Sequence, residues 1–274
     1  MLIDYHIHDR FSPDSEMLLS EIIENSVKNG VKEICITNHA EQFKKNGKTG
    51  IVDMEELIPR FNKIKNEIEI AQKKNNKIKI LFGAEIAYSE GWIKNLEKLI
   101  KEFEFDFIIG SIHIIDDIVI SSIKHSHKIY DLMPEEKAYK KYFNNLYKFV
   151  EWGKFDVIGH FDINKKYGHE AYGKFEPKKY EKEIRKILKL AAKKNIGIEL
   201  NTSNIHSKCF EVFPSPQILK WALEDGITNF TLGSDAHEPI HINRYLKEAI
   251  EIAKDIGIKT ISTYRKHIPT KHKI

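Results

Sequence analysis

His6-Ile7-His8 and Asp235-Ala236-His237 stand near opposite ends of a 274-residue chain, and in each pair the spacing of two suits one metal ion. In an extended strand, residues i and i+2 project to the same face, so both imidazoles of the first pair can reach one cation. Either pair alone is weak. A histidine is often a hydrogen-bonded core residue, and Asp235 after Gly233-Ser234 could bond its own backbone in a turn. The weight comes from repetition: at or just past the ends of successive β-rich runs stand His6 and His8, His39, Glu85, His113, His160 with Asp162, Asn201, and Asp235 with His237. Glu85 ends the apolar run ILFGAE, where a buried carboxylate is costly unless a cation neutralises it, and it reads as a ligand bridging two metals. His113 and His160 each follow a glycine that permits close backbone approach. Asp14, in the loop RFSPDS, is either a further ligand or the cap of the first helix. Asn201 is placed to orient a ligand or the substrate. His125 and His127 lie in SSIKHSHKIY, read as a loop over the site at most. Most of the remaining histidines, His241 among them, are expected at the surface.

Such residues need a frame that gathers positions more than 200 apart in the chain. The β-rich runs cover 2–7, 32–37, 77–86, 105–114, 155–161, 196–202, 227–233 and 258–263. Between them lie helical patterns over 16–29, 54–74, 92–103, 134–152, 177–195, 216–225 and 243–256. In the first, Leu18, Leu19, Ile22, Ile23 and Val27 recur at helical spacing and Gly30 marks the stop. Alternating strand and helix implies a parallel sheet wrapped by helices. Seven or eight units without a glycine-rich phosphate fingerprint after the first strand predict an α/β fold of the closed or distorted barrel type, in which the strand ends converge on one face.

Composition narrows the class. Apolar residues at 41% and charged residues at 31% describe a globular chain with a sizeable core, and the absence of repeats or a linker favours a single domain. Of 44 basic residues against 40 acidic, four (Arg265, Lys266, Lys271 and Lys273) sit near the C-terminus with no acid among them. Without them the balance is even, so neither a nucleic-acid nor a membrane partner is expected. Residues 1–265 are taken as the barrel and 266–274 as a basic C-terminal tail. Cys35 and Cys209 are too far apart in sequence to suggest a disulfide framework and read as free thiols. No signal-like N-terminus and no apolar run of about 18 residues occurs, which predicts a cytoplasmic protein.

Taken in order, DYHIHDRFSPDS, ITNHAE, FGAEI, GSIH, VIGHFDI, LNTS and LGSDAH resemble the motifs of the PHP superfamily of metal-dependent phosphoesterases, most of all its histidinol-phosphate phosphatase branch. The resemblance covers roughly residues 2–265. It implies a distorted (β/α)7 barrel, TIM-like, holding three divalent metal ions (Zn, Mn or Fe), since N/O ligands do not select sharply among these. Carried over motif by motif, His6, His8, Glu85 and Asp235 would bind one metal, Glu85, His113 and His160 a second, and Asp14, His39 and His237 the third. The implied reaction is hydrolysis of the small phosphomonoester L-histidinol phosphate in histidine biosynthesis, by a hydroxide bridging two metals. Asp235 or His237 would pass a proton to the departing alkoxide. Similar proteins often carry an arginine near the His-x-Asp or Asn-Thr-Ser motif. This chain has Lys165, Lys166 and His206 there, and these, with Asn201 and Arg244, are the candidate substrate-binding residues. Two alternatives remain at this point: another phosphoesterase of the superfamily acting on a nucleotide, phosphopeptide or other small phosphate, and an amidohydrolase-like deaminase. The deaminase usually bridges its metals with a strand-end lysine, where this chain has Glu85.

Overall fold

The computed structural model describes residues 1–41, 43–45, 48–50, 54–205 and 211–274. Seven strands follow one another round a barrel in chain order: β1 (Ile3–Ile7), β2 (Glu33–Ile36), β3 (Lys79–Ala87), β4 (Phe107–Ser111), β5 (Val157–Ile158), β6 (Gly197–Asn201) and β7 (Phe230–Gly233). Each pairs in parallel with the next, for instance Cys35 opposite Leu81 and Leu200 opposite Leu232. A parallel bridge between Ile7 and Ala236, with His8 N–H donating to the Ala236 carbonyl at 3.0 Å, joins the last strand to the first, so the barrel is nearly closed. The strands are buried throughout except for Lys79, as expected when helices cover the outside of a parallel sheet.

The helices are α1 (Leu19–Lys28), α2 (Met54–Lys74), α3 (Ile93–Glu102), α4 (Ile123–Tyr130), α5 (Glu135–Trp152), α6 (Asn164–Tyr172), α7 (Glu181–Lys193), α8 (Pro216–Glu224) and α9 (Leu246–Ile256). Helix α1 starts later than its apolar spacing suggests. The Glu21 carboxylate accepts the Leu18 N–H at 2.9 Å, so neither Asp14 nor Ser15 caps the helix. Asp14 is thereby left to turn towards the barrel mouth. Helix α4 carries His125 and His127, so that stretch is helical and not a loop. Helix α6 was not foreseen either. It carries Gly168, where a Cβ would lie 2.6 Å from the Tyr139 hydroxyl oxygen, so the glycine lets α6 press onto α5.

The eighth β-rich run is not a barrel strand. It forms β8 (Thr260–Arg265), paired antiparallel with β9 (Ile268–Lys273), and the basic segment 266–274 is the outer, mostly exposed arm of this hairpin. Lys266 and His267 both take positive φ (47° and 67°), the geometry of a tight two-residue turn. The hairpin closes the end of the barrel where the strands begin. Arg265 pairs with both oxygens of buried Glu33 at 3.2 and 3.0 Å, the His267 N–H donates to the Asp106 carbonyl at 3.0 Å, and His267 Nδ1 lies 2.9 Å from Asp156 Oδ2. Tyr5 donates to Glu33 and accepts the Tyr264 N–H at 2.9 Å. The candidate ligands gather at the opposite face, where the strands end.

Candidate metal centre

At that face the strand ends deliver their side chains to one floor. His6 lies on β1 and His8 one residue past it, both with no exposed surface. A two-residue extension, His39–Ala40, pairs with β3 so that His39 stands opposite Glu85. His113 and His160 follow β4 and β5. Asp235 and His237 follow β7, and the Asp235 N–H donates to the His6 carbonyl at 2.8 Å. Asp235 (φ 54°) and His160 (φ 23°) hold left-handed backbones, a conformation costing of order 1–3 kcal/mol that persists where surrounding structure enforces it.

Glu85 is the centre of the arrangement. Its Oε2 lies 2.8 Å from His39 Nδ1, 3.3 Å from His6 Nε2 and 3.6 Å from His8 Nε2. Its Oε1 lies 2.9 Å from His160 Nε2 and 3.2 Å from His113 Nε2, and accepts the Ser111 hydroxyl at 2.7 Å. One carboxylate thus faces two sets of imidazoles. Asp235 Oδ1 is 3.5 Å from His6 Nε2 and 3.6 Å from His8 Nε2, and Asp14 Oδ2 is 3.2 Å from Nε2 of both His39 and His237. All nine candidate ligands therefore meet in one cluster.

Their tightest groupings differ in part from the expected sets. Donor atoms within 4.8 Å of one another form the groups His8–Asp14–His39–His237, His6–His8–Asp235, His6–Glu85–His160 and His39–Glu41–His113. His8 joins the expected third set, His6 shares two groups, and Glu41 enters although the sequence reading passed over it.

The donors suit divalent cations. His6 Nε2, His8 Nε2 and Glu85 Oε2 are buried without a hydrogen-bond partner, although Glu85 Oε2 lies only 3.3 Å from the first and 3.6 Å from the second. Two pairs of ring nitrogens also face each other, His113 Nε2 with His160 Nε2 at 3.2 Å and His237 Nε2 with His39 Nε2 at 3.4 Å. Imidazole nitrogens and carboxylate oxygens converging in this way are the donor set of zinc and similar ions.

The electrostatics agree. Burial lowers the His8 pKa to about 3, helped by His237 and His39 nearby, so His8 is a neutral imidazole with a lone pair to give. Burial also opposes charge on His6, His39 and His113, but the carboxylates beside them prevail: the first two are held well above the ordinary histidine value and His113 reaches about 10. Burial likewise opposes ionisation of Glu85, Asp235 and Asp14, yet the surrounding imidazoles hold all three below the usual carboxylate range. The floor calls for positive charge, which protonated imidazoles or metal ions can supply.

Two carboxylates behind the floor escaped the sequence reading as site residues. Glu199, on β6, lies 2.6 Å from His6 Nδ1, and its other oxygen accepts the His160 N–H at 2.8 Å. Glu41 lies 2.6 Å from His113 Nδ1. Both were findable. Glu199 interrupts an apolar strand as Glu85 does, and Glu41 stands two residues after His39, on the same face of an extended segment.

Above the floor opens a cleft of about 330 Å³ whose lining includes Asp235 and His237, the two candidate proton carriers, together with Lys166, Tyr167, His241 and Arg244. Burial lowers the His241 pKa, and Arg244, His237 and Lys166 add to this against the opposing pull of Glu238, so the rim is rich in positive charge. His241 is half-buried and stands on the rim, which it reaches because it follows β7 closely.

Of the other substrate-binding candidates, Lys165 needs correcting. It is 2% exposed and its ammonium is used internally, 3.1 Å from Asp162 Oδ2 and donating to the Val212 carbonyl at 2.8 Å. The turn of α6 that buries Lys165 presents Lys166 to the cleft. Asn201 lies beneath the cleft, donating to Asp235 Oδ2 at 3.3 Å and Glu199 Oε2 at 3.1 Å, so it supports Asp235 from below. His206 falls outside the described residues, as does Cys209; Cys35 is a buried free thiol.

The chain resembles known proteins in sequence and in fold. The chain is 27% identical over 266 residues to a probable histidinol-phosphatase of Clostridium acetobutylicum, covering 95% of this chain and 96% of the relative. It is 26% identical over 263 residues to the histidinol-phosphatase of Lactococcus lactis subsp. lactis, covering 96% and 94%. Among solved structures, the histidinol phosphate phosphatase of Lactococcus lactis subsp. lactis, complexed with zinc, L-histidinol and phosphate, shares the fold with a TM-score of 0.83 at 24% identity, over 98% of this chain and 99% of that one. A putative histidinol phosphatase of Listeria monocytogenes gives a TM-score of 0.76 at 21% identity, over 89% and 99%. The PHP domain matches residues 4–203, most of the barrel, and the chain belongs to the PHP domain family.

Proposed function

We infer that this chain is a metal-dependent phosphatase that hydrolyses L-histidinol phosphate to L-histidinol and phosphate. The observation that carries hydrolysis at a metal centre is Glu85, whose two oxygens face separate sets of imidazoles at the floor of the cleft. The substrate follows from relatives of that name aligned over nearly the full length of both chains.

The ligand sets proposed are His6, His8, Glu85 and Asp235 for one ion, Glu85, His113 and His160 for a second, and Asp14, His39 and His237 for a third, with zinc, manganese or iron all compatible with the donors. Bound there, such ions supply Lewis-acid charge for phosphoryl oxygens and make hydroxide available near neutral pH. The protein's own groups do the rest. Arg244 and Lys166, at the cationic rim, draw the phosphate inward and hold it. Asp235 and His237 face the same cleft; Asp235 is ionised there and can only receive a proton, so His237 is the one of the two that can hand a proton to the departing alkoxide oxygen. Asn201 from beneath and Ser203 Oγ at 3.2 Å keep Asp235 Oδ2 in place, leaving Oδ1 towards His6 and His8.

The deciding assay measures phosphate release by the purified protein with Mn²⁺ or Zn²⁺, on histidinol phosphate beside nucleoside monophosphates and phosphotyrosine. Histidinol phosphate is expected to give the highest kcat/KM, and release to stop after chelation. Preference for a nucleotide or phosphotyrosine would transfer the site to another phosphoesterase class.

A further inference from the structure

Glu41 has no part in the ligand sets above, yet its side chain is 3% exposed and wedged behind the floor. Its Oε2 lies 2.6 Å from His113 Nδ1 and its Oε1 3.5 Å from His39 Nδ1. An ionised carboxylate only accepts, so at the shorter contact His113 Nδ1 donates. A neutral His113 in that tautomer keeps its lone pair on Nε2, the atom 3.2 Å from both Glu85 Oε1 and His160 Nε2.

We propose that Glu41 is a positioning residue for metal binding: it fixes the tautomer and ring orientation of His113 and so aims Nε2 at the ion shared with Glu85 and His160. The proposal rests on the metal-binding reading of the floor. Direct ligation by Glu41 at that point does not fit, because the carboxylate meets the Nδ1 side of the His113 ring while Nε2 faces Glu85. The same device occurs a second time: Glu199 holds Nδ1 of His6 at the same 2.6 Å while Nε2 of His6 turns to Glu85. A carboxylate is the stronger anchor here, since charge-assisted hydrogen bonds are roughly twice as strong as neutral ones.

The test reads metal binding, not turnover. Chelator-treated wild type, E41Q, H113A and the double variant are titrated with Zn²⁺ against a competing chelator, and bound metal is counted by mass spectrometry. E41Q is expected to weaken at least one ion by about 10- to 100-fold. In the H113A background the same change should alter affinity by less than about twofold, because the effect passes through His113. E41D, which keeps the charge but withdraws it from Nδ1, should fall between wild type and E41Q, and it serves in place of E41Q if that variant does not fold. Metal-free melting temperatures, compared across the set, separate lost anchoring from lost folding. Unchanged affinity in E41Q or E41D, or a full-sized effect that persists without His113, overturns the proposal while leaving the metal centre standing. A wild type that binds no metal overturns both.

Discussion

Glu85 and Asn201 are both buried and both hydrogen-bonded, but they differ in what their removal leaves behind. Glu85 places one charge between two groups of imidazoles, so Glu85→Gln leaves five ring nitrogens facing a neutral amide. Asn201 donates to Asp235 and Glu199, and Asn201→Ala removes two of several bonds that hold those carboxylates. Metal charge contributes several kcal/mol of transition-state stabilisation, and about 1.4 kcal/mol is tenfold in rate, so Glu85→Gln should lower kcat by ~100-fold or more. Asn201→Ala should lose roughly tenfold, in line with the worth of one or two hydrogen bonds. Phosphate release and bound metal measured on both proteins check this ranking; equal losses would remove Glu85 from its bridging role. The tight fit around these groups extends to the backbone. A Cβ at Gly233 would lie 2.1 Å from Glu199 Oε1 and 2.6 Å from the His6 Cβ, so the glycine of LGSDAH is what lets β7 approach the carboxylate behind His6.

At the scale of elements, the seven barrel strands were legible because each is a short apolar run and nearly every one leads into a polar residue of metal-binding type. Strand order in the chain then became strand order in the sheet. The elements that were missed lack such a signal. The turn between β8 and β9 is Lys266-His267, with positive φ but without the Asn or Gly that usually announces it, so the sequence leaves the count of barrel units at seven or eight. Helix α6 contains Gly168 and only nine residues, and its burial of Lys165 runs against the usual exposure of lysine. Of the site, the nine ligand candidates could be listed from strand ends, but not the split of Glu85 between two faces, nor the anchoring by Glu41 and Glu199, because these depend on side-chain direction. The hairpin also makes a prediction of its own. The contact with Asp156 raises the His267 pKa above its ordinary value, against some burial. A raised histidine stabilises the folded state fully below about 6.5, its unfolded value, and loses this as pH rises through the folded value. His267→Gln should therefore melt below wild type at about pH 6, with the gap closing as pH rises through the raised value, by circular dichroism. A deficit that widened with pH would mean that the ion pair is not what secures the hairpin.

For the whole molecule, one end of the barrel is covered by the β8–β9 hairpin and the other concentrates carboxylates and imidazoles, most of them buried. Charges gathered at a buried floor tie metal binding to both stability and pH. Without metal, His6, His39 and His113 hold protons well above the ordinary histidine range, with His113 at about 10, because buried carboxylates surround them. Their stabilising contribution is present below about 6.5 and is lost as pH rises through these raised values. Glu85 and Asp235 have the opposite sign: ionised in the fold to well below their ordinary values, they stabilise above that range and lose this only as pH falls through the depressed values. A metal ion must displace the imidazole protons. Binding near neutral pH is therefore expected to release protons, and affinity to rise with pH across the region where His113 titrates. Calorimetric titration of the chelator-treated protein in two buffers of different ionisation enthalpy measures that release directly. Since ligands that bind only the folded state add about 2.7 kcal/mol at a hundredfold excess over Kd, the loaded protein should melt roughly 5–10 °C above the chelated one. Binding without proton release, or an affinity that does not change with pH, would mean that these imidazoles are not the groups that receive the metal.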